Sequence, residues 1–217
     1  SGTAIAAISF LKKAGVDFTV LKDEPASGAY LADLMGLTGD VQAVAVKAAE
    51  AIKASGAKKL IVLNPMDAVM FRDNYGKWGL LGGIEVITFT AAAAELIESG
   101  AVKVQKTELR ASLHEPVKLT RGLDEEKPLN DIIAALGIDH VQLFLHGKMS
   151  RCIGTVMMDG YDPAVSRVMV KTRLDDAHRL GCSVLLAASP DDYYLMKKYA
   201  TDGFETIDLI ELLASKC

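Results

Sequence analysis

One run of glycines and prolines occurs twice along this chain with nearly the same gaps, and it limits the possible folds more tightly than composition does. Gly28 follows Gly15 by 13 residues, and Gly154 follows Gly137 by 17. Gly56 follows Gly28 by 28, and Gly181 follows Gly154 by 27. Gly56 to Pro65 and Gly181 to Pro190 are both steps of nine. Gly83-Ile84-Glu85-Val86-Ile87-Thr88 then echoes Gly203-Phe204-Glu205-Thr206-Ile207-Asp208. In the same way Gly15-Val16-Asp17-Phe18 echoes Gly137-Ile138-Asp139-His140. Five landmarks in one order predict an internal duplication, with a first repeat over residues 1–105 and a second over 106–217.

Helix and strand signals alternate within each repeat. Thr3 is a candidate cap for an apolar-periodic helix that runs through Lys13 and stops at Gly15, followed by a β-rich run over residues 16–21. A second helix is expected over about 41–55, then a strand over 60–63. Asn64-Pro65 ends that strand and a helix begins over 66–75. A strand over 84–88 and a helix over 90–99 close the repeat. The second repeat opens with an additional strand and turn over 110–116, whose counterpart in the first would lie before Ser1. The spacing therefore predicts that a first strand and its loop are missing from the sequence or were replaced. The expected fold is α/β: two pseudo-symmetric Rossmann-like lobes, each a small parallel sheet flanked by helices. Ligands of such sheets bind beyond the strand carboxyl ends, so an inter-lobe cleft is the expected site.

With 217 residues, half of them hydrophobic, the chain can fill one large core or two small ones. The net charge of -4, with 28 acidic and 24 basic residues dispersed, leaves no basic stripe for phosphates and argues against nucleic acid. Gly or a charge interrupts each apolar stretch well short of the roughly 20 residues that cross a bilayer. Ser1-Gly2-Thr3-Ala4 lacks both an initiator Met and a secretory pattern, and reads as a trimmed start. Cys152, Cys182 and Cys217, odd in number and widely spaced, suit free thiols and a cytoplasmic location.

The loops that follow the expected strands carry a resemblance. Asp23-Glu24-Pro25-Ala26-Ser27-Gly28 and Arg151-Cys152-Ile153-Gly154 each resemble a Cys-Cys-Gly segment. Asn64-Pro65-Met66-Asp67 and Ser189-Pro190-Asp191-Asp192 each resemble Cys-Pro-x-Cys, and His114-Glu115-Pro116-Val117 resembles His-Asp-Pro-Cys. The chain thus resembles, over essentially its whole length, the cysteine-rich (CCG) domain family. That family includes heterodisulfide reductase subunits B and D, glycolate oxidase iron–sulfur subunits and lactate-utilisation proteins. The resemblance implies iron–sulfur ligands at Ala26, Ser27, Asn64, Asp67, Val117, Cys152, Ile153, Ser189 and Asp192, where this sequence keeps one cysteine. Cluster iron needs several converging thiolates, so no cofactor and no metal is expected in this chain. Iron–sulfur or flavin groups are expected in partner subunits of a redox complex, with peripheral membrane attachment through those partners.

Two functions follow from the resemblance. One is a cluster-less scaffold or docking subunit of an electron-transfer complex. The other is an oxidoreductase-type enzyme with a repurposed cleft, in which His114, Arg121 and His146, with Cys152, bind a small anion. A third possibility is a surface for homodimer formation. Each of these residues also has a structural reading. Cys152 suits packing as well as redox chemistry, and His114 suits a loop-holding hydrogen bond as well as acid–base work. His140 and His178 read as structural, and Cys182 as packing. Asn64 and Ser189 are good helix caps, with Asp67 and Asp192 placed to favour the helix dipole. No Walker loop, G-x-G-x-x-G, C-x-x-C or H-E-x-x-H occurs.

Overall fold

The computed structural model describes residues 2–217, and they fold as an α/β protein with two separate parallel sheets flanked by helices. Helix α1 (Gly2–Lys13) opens the chain. It buries Thr3, Ala7, Phe10 and Leu11, the single stripe that a 3.6-residue period produces. Packing divides the chain into two compact units, Val16–Phe89 in one and α1 with Thr90–Cys217 in the other.

The smaller unit runs through α2 (Ala29–Met35), α3 (Gly39–Ala54), β1 (Lys59–Val62), α4 (Pro65–Val69), α5 (Tyr75–Lys77) and β2 (Glu85–Thr88). Thr38 caps α3 by accepting from the Val41 amide at 3.4 Å. That helix buries Val41, Ala45, Ala48, Ala49 and Ile52 against Met66, Met70, Tyr75 and Leu81. Strands β1 and β2 pair in parallel, Lys59 opposite Glu85 and Val62 opposite Thr88.

The larger unit continues with α6 (Phe89–Glu98), β3 (Arg110–His114), α7 (Glu126–Ala135), β4 (Asp139–His140), α8 (Val156–Tyr161), α9 (Pro163–His178), β5 (Val184–Ala187), α10 (Pro190–Tyr199), β6 (Glu205–Asp208) and α11 (Leu209–Ser215). Its four strands lie in the order β4-β3-β5-β6, all parallel. Val184 faces Glu205 and Ala187 faces Asp208. With Pro65 aligned on Pro190, this is the register of β1 on β2, position for position. Gly28 and Gly154, the third residues of the two Cys-Cys-Gly-like segments, share a left-handed backbone at φ 85° and 97°. A side chain is strained there, which accounts for glycine at both places.

Several expectations need correction. Residues 16–21 form no strand, and no backbone hydrogen bond ties them to another segment among the described residues. The reason is a missing neighbour. In the larger unit β4 is held by β3, whereas among the described residues the two-stranded sheet has no strand in the place of β3 with which residues 16–21 could pair. Thr3 does not cap α1 but lies inside it, its hydroxyl bound to the Asp208 carboxylate that caps α11. The helix expected over 66–75 starts at Pro65 and is broken by a π-helical stretch, Met70–Asn74. The compact units follow other lines than the repeat halves 1–105 and 106–217 without bearing on the repeat itself, since α1 packs on α11 and α6 goes with the four-stranded sheet. Halves describe sequence periodicity; units describe packing.

Candidate functional site at the strand carboxyl ends

In the four-stranded sheet the chain leaves β3 toward β4 on one side, while β5 lies on the other, so β3 and β5 flank a topological switch point. Such a point is where an open parallel sheet offers a ligand crevice. Here the crevice side is built from His114 and Glu115 at the end of β3 and Ser189 and Asp192 beyond β5, all four buried.

Arg173, on α9, organises this cluster from below and is fully buried at 0% exposure. Its Nε donates to His114 Nδ1 at 3.1 Å, and its Nη1 donates to the Leu145 carbonyl at 2.8 Å. The Nδ1 acceptor role places the imidazole proton on Nε2, which faces Asp192 Oδ2 at 3.5 Å. Ser189 Oγ donates to that same carboxylate oxygen at 2.8 Å and accepts from the Asp192 amide at 3.2 Å. Burial pulls the guanidinium down to about 10, countered by Asp176, Glu115 and Asp192, so it stays charged at neutral pH. Glu115 is pushed above the usual carboxylate range by burial, against the opposing Gly147 amide bond of 2.6 Å. Ser150 Oγ closes the loop on the Glu115 carbonyl at 2.7 Å.

The smaller unit answers with an analogous arrangement at the end of β1. Asn64 caps α4 by accepting from Met66 N at 2.9 Å, and its amide donates to Tyr30 Oη at 3.3 Å. Ser27 Oγ donates to Asp67 Oδ1 at 2.5 Å. Tyr75, fully buried, donates its hydroxyl to the Ser27 carbonyl at 2.7 Å. Burial and the nearby Asp67 charge push the Tyr75 phenol well above its ordinary 10.0. The stabilisation from that hydrogen bond is therefore fully present below the ordinary value of 10.0 and is lost as pH rises through the higher folded-state value. Tyr75→Phe is expected to lower unfolding stability by about 1–2 kcal/mol, read from urea denaturation at neutral pH. An unchanged midpoint would show that the Ser27 carbonyl finds another donor.

The residues singled out by sequence are distributed unevenly. His114 is buried and committed to Arg173. His146 is exposed with Nδ1 at 2.9 Å from the Leu143 carbonyl, and Arg121 is exposed, donating to the Lys148 carbonyl at 3.3 Å. Cys152 is exposed, its sulfur accepting from Gly154 N at 3.4 Å, while Ile153 is buried in the core with Leu174 and Leu185. Val117 stands at the entry of a π-helical turn, Lys118–Gly122, and Ala26 is exposed beside Ser27. Ser27 joins Asp67, and Ser189 joins Asp192 and His114; His114, Arg121, His146 and Cys152 each bond to other residues and not to one another. Cys182 is buried and His178 rests near the Phe204 ring. Burial lowers the basicity of His140.

Sequence reasoning missed Arg173, Tyr75 and Ser150. Arg173 did leave a trace: it falls on the α9 stripe formed by Ser166, Val170, Leu174 and Ala177, so a charge occupies a core-facing position. Tyr75 and Ser150 left no comparable trace, since their partners are backbone carbonyls remote in sequence.

Known proteins give this cluster a context. The chain is 24% identical over 220 residues to the probable iron–sulfur-binding oxidoreductase FadF of Bacillus subtilis, covering 97% of this chain and 31% of that protein. It is 25% identical over 178 residues to a probable membrane-anchored ferredoxin of Chromohalobacter salexigens, covering 80% of this chain and 26% of that protein. The chain spans about a third of one and about a quarter of the other. No family model matches the sequence. No helix among the described residues is long and apolar enough to cross a membrane.

The donor set does not fit an iron–sulfur cluster. Cluster iron is held by convergent thiolates. Here Ser27 and Asp67 are spent on one another, Asp192 is spent on Ser189 and His114, and Ile153 and Val117 have no donor atom. Among the described residues no group of three His, Cys, Asp or Glu side chains is placed to hold a metal ion.

Proposed function

We propose that this chain is a cluster-less relative of iron–sulfur redox proteins of the CCG type, acting as a scaffold that docks subunits of an electron-transfer complex. The observation that carries this reading is the Ser27–Asp67 hydrogen bond; in the other sheet Asp192, which the repeat aligns with Asp67, is held instead by Ser189, the residue aligned with Asn64. The resemblance assigns thiolates to these positions. Oxygen side chains that satisfy one another keep the loops closed without iron, so the architecture survives while the cofactor role passes to partners bearing iron–sulfur or flavin groups. Attachment to a membrane, in this reading, is peripheral and made by those partners from the cytoplasmic side.

The test is anaerobic purification of the 217-residue chain, followed by iron and acid-labile sulfide analysis and visible absorption. The expected outcome is a colourless protein with far less than stoichiometric iron and sulfide. Stoichiometric iron and sulfide with a charge-transfer band in the visible would overturn the proposal.

A further inference from the structure

The two sheets differ at one edge. Strand β5 is enclosed between β3 and β6, and its Leu185 and Leu186 are both at 0% exposure. Among the described residues strand β1 pairs with β2 only, and the aligned residues Leu60 and Ile61 are half-buried. A parallel strand with one neighbour leaves a row of backbone donors and acceptors on its other side, the usual template for strand addition.

We infer that the free edge of β1 takes up a parallel strand from a partner polypeptide, in the position that β3 holds beside β5. Register in the larger unit defines what fits. Ser112 of β3 faces Leu185, and Arg110 of β3 faces Asp139 of β4 with an ion pair of 3.0 Å. Through the repeat, Leu185 corresponds to Leu60 and Asp139 to Asp17. Asp17 is exposed in the unpaired stretch 16–21 and has no ion-pair partner among the described residues. The incoming segment therefore carries a basic residue opposite Asp17 and, two residues later, a small side chain opposite Leu60, with an apolar residue next. Once bound it also gives residues 16–21 the ladder partner that β4 has in β3, so one segment completes two neighbours. This surface rests on the internal repeat and not on the redox reading.

The probe is a capped synthetic peptide with the sequence of residues 109–115, which has the required pattern, added to the full 217-residue chain. Hydrogen exchange of the β1 amides is followed by NMR. At saturating peptide these amides are expected to slow about tenfold or more, with the amides of 16–21 slowing alongside. Asp17→Lys is expected to raise the half-saturating concentration severalfold, while a peptide with Glu in place of its Arg regains affinity for that variant. Unchanged β1 exchange at millimolar peptide overturns the inference. So does β1 exchange as slow as that of β5 without peptide: if it speeds up on dilution, a second copy fills the edge, and if not, the edge is closed from within the chain.

Discussion

Replacing Arg173 by alanine is expected to lower unfolding stability by about 3–5 kcal/mol, the largest effect of any single substitution in the larger unit. Two losses combine. The side chain is fully buried, so truncation leaves a cavity in the floor of the switch point, and His114 Nδ1 and the Leu145 carbonyl lose their donors together. Arg173→Met separates the two. Methionine refills most of the volume and removes a buried charge whose Nη2 has no hydrogen-bond partner, so its cost is expected to stay below about 2 kcal/mol. Urea denaturation of both variants checks this. Equal losses for Ala and Met would mean that the hydrogen bonds, and not the packing, hold the site.

Asp159→Asn is the second large expectation, at about 2–4 kcal/mol near neutral pH. Asp159, on α8, is almost wholly buried and accepts from Lys198 Nζ at 2.6 Å and Tyr199 Oη at 2.5 Å, both on α10. Burial raises its pKa, but these two donors outweigh burial and hold it below the ordinary 3.8. A carboxylate with a depressed folded-state pKa stabilises above its unfolded value, and that contribution fades as pH falls through the folded value. The difference between parent and variant should therefore be full above about pH 5 and shrink below 3.8. Lys198 keeps 38% of its side chain exposed, so water rescues part of the loss and holds the effect under the upper limit for buried pairs. A difference that persists unchanged at pH 3 would assign it to side-chain geometry and not to charge.

Side-chain hydrogen bonds join the loops at the strand carboxyl ends in both units. A thiolate cluster ties loops from several strands to one inorganic centre. In this protein Arg173, His114, Asp192 and Ser189 tie the same loops through side-chain hydrogen bonds. In the smaller unit Ser27, Asp67 and Tyr75 do so through another set.

The sequence alone determined the alternation of helices and strands, the parallel sheets, the caps at Asn64 and Ser189, and the turn glycines at Gly28 and Gly154. These features are written locally, in hydrophobic period, capping chemistry and the few residues that tolerate a left-handed backbone. Tertiary structure decided the rest: that residues 16–21 stay unpaired, that Thr3 serves α11 and not its own helix, and that Arg173 reaches His114 across 59 positions of sequence. A strand exists only if a neighbour accepts its hydrogen bonds, and a buried charge is tolerable only if distant groups converge on it. Neither condition has a local signature, because both depend on which chain segments become neighbours after folding.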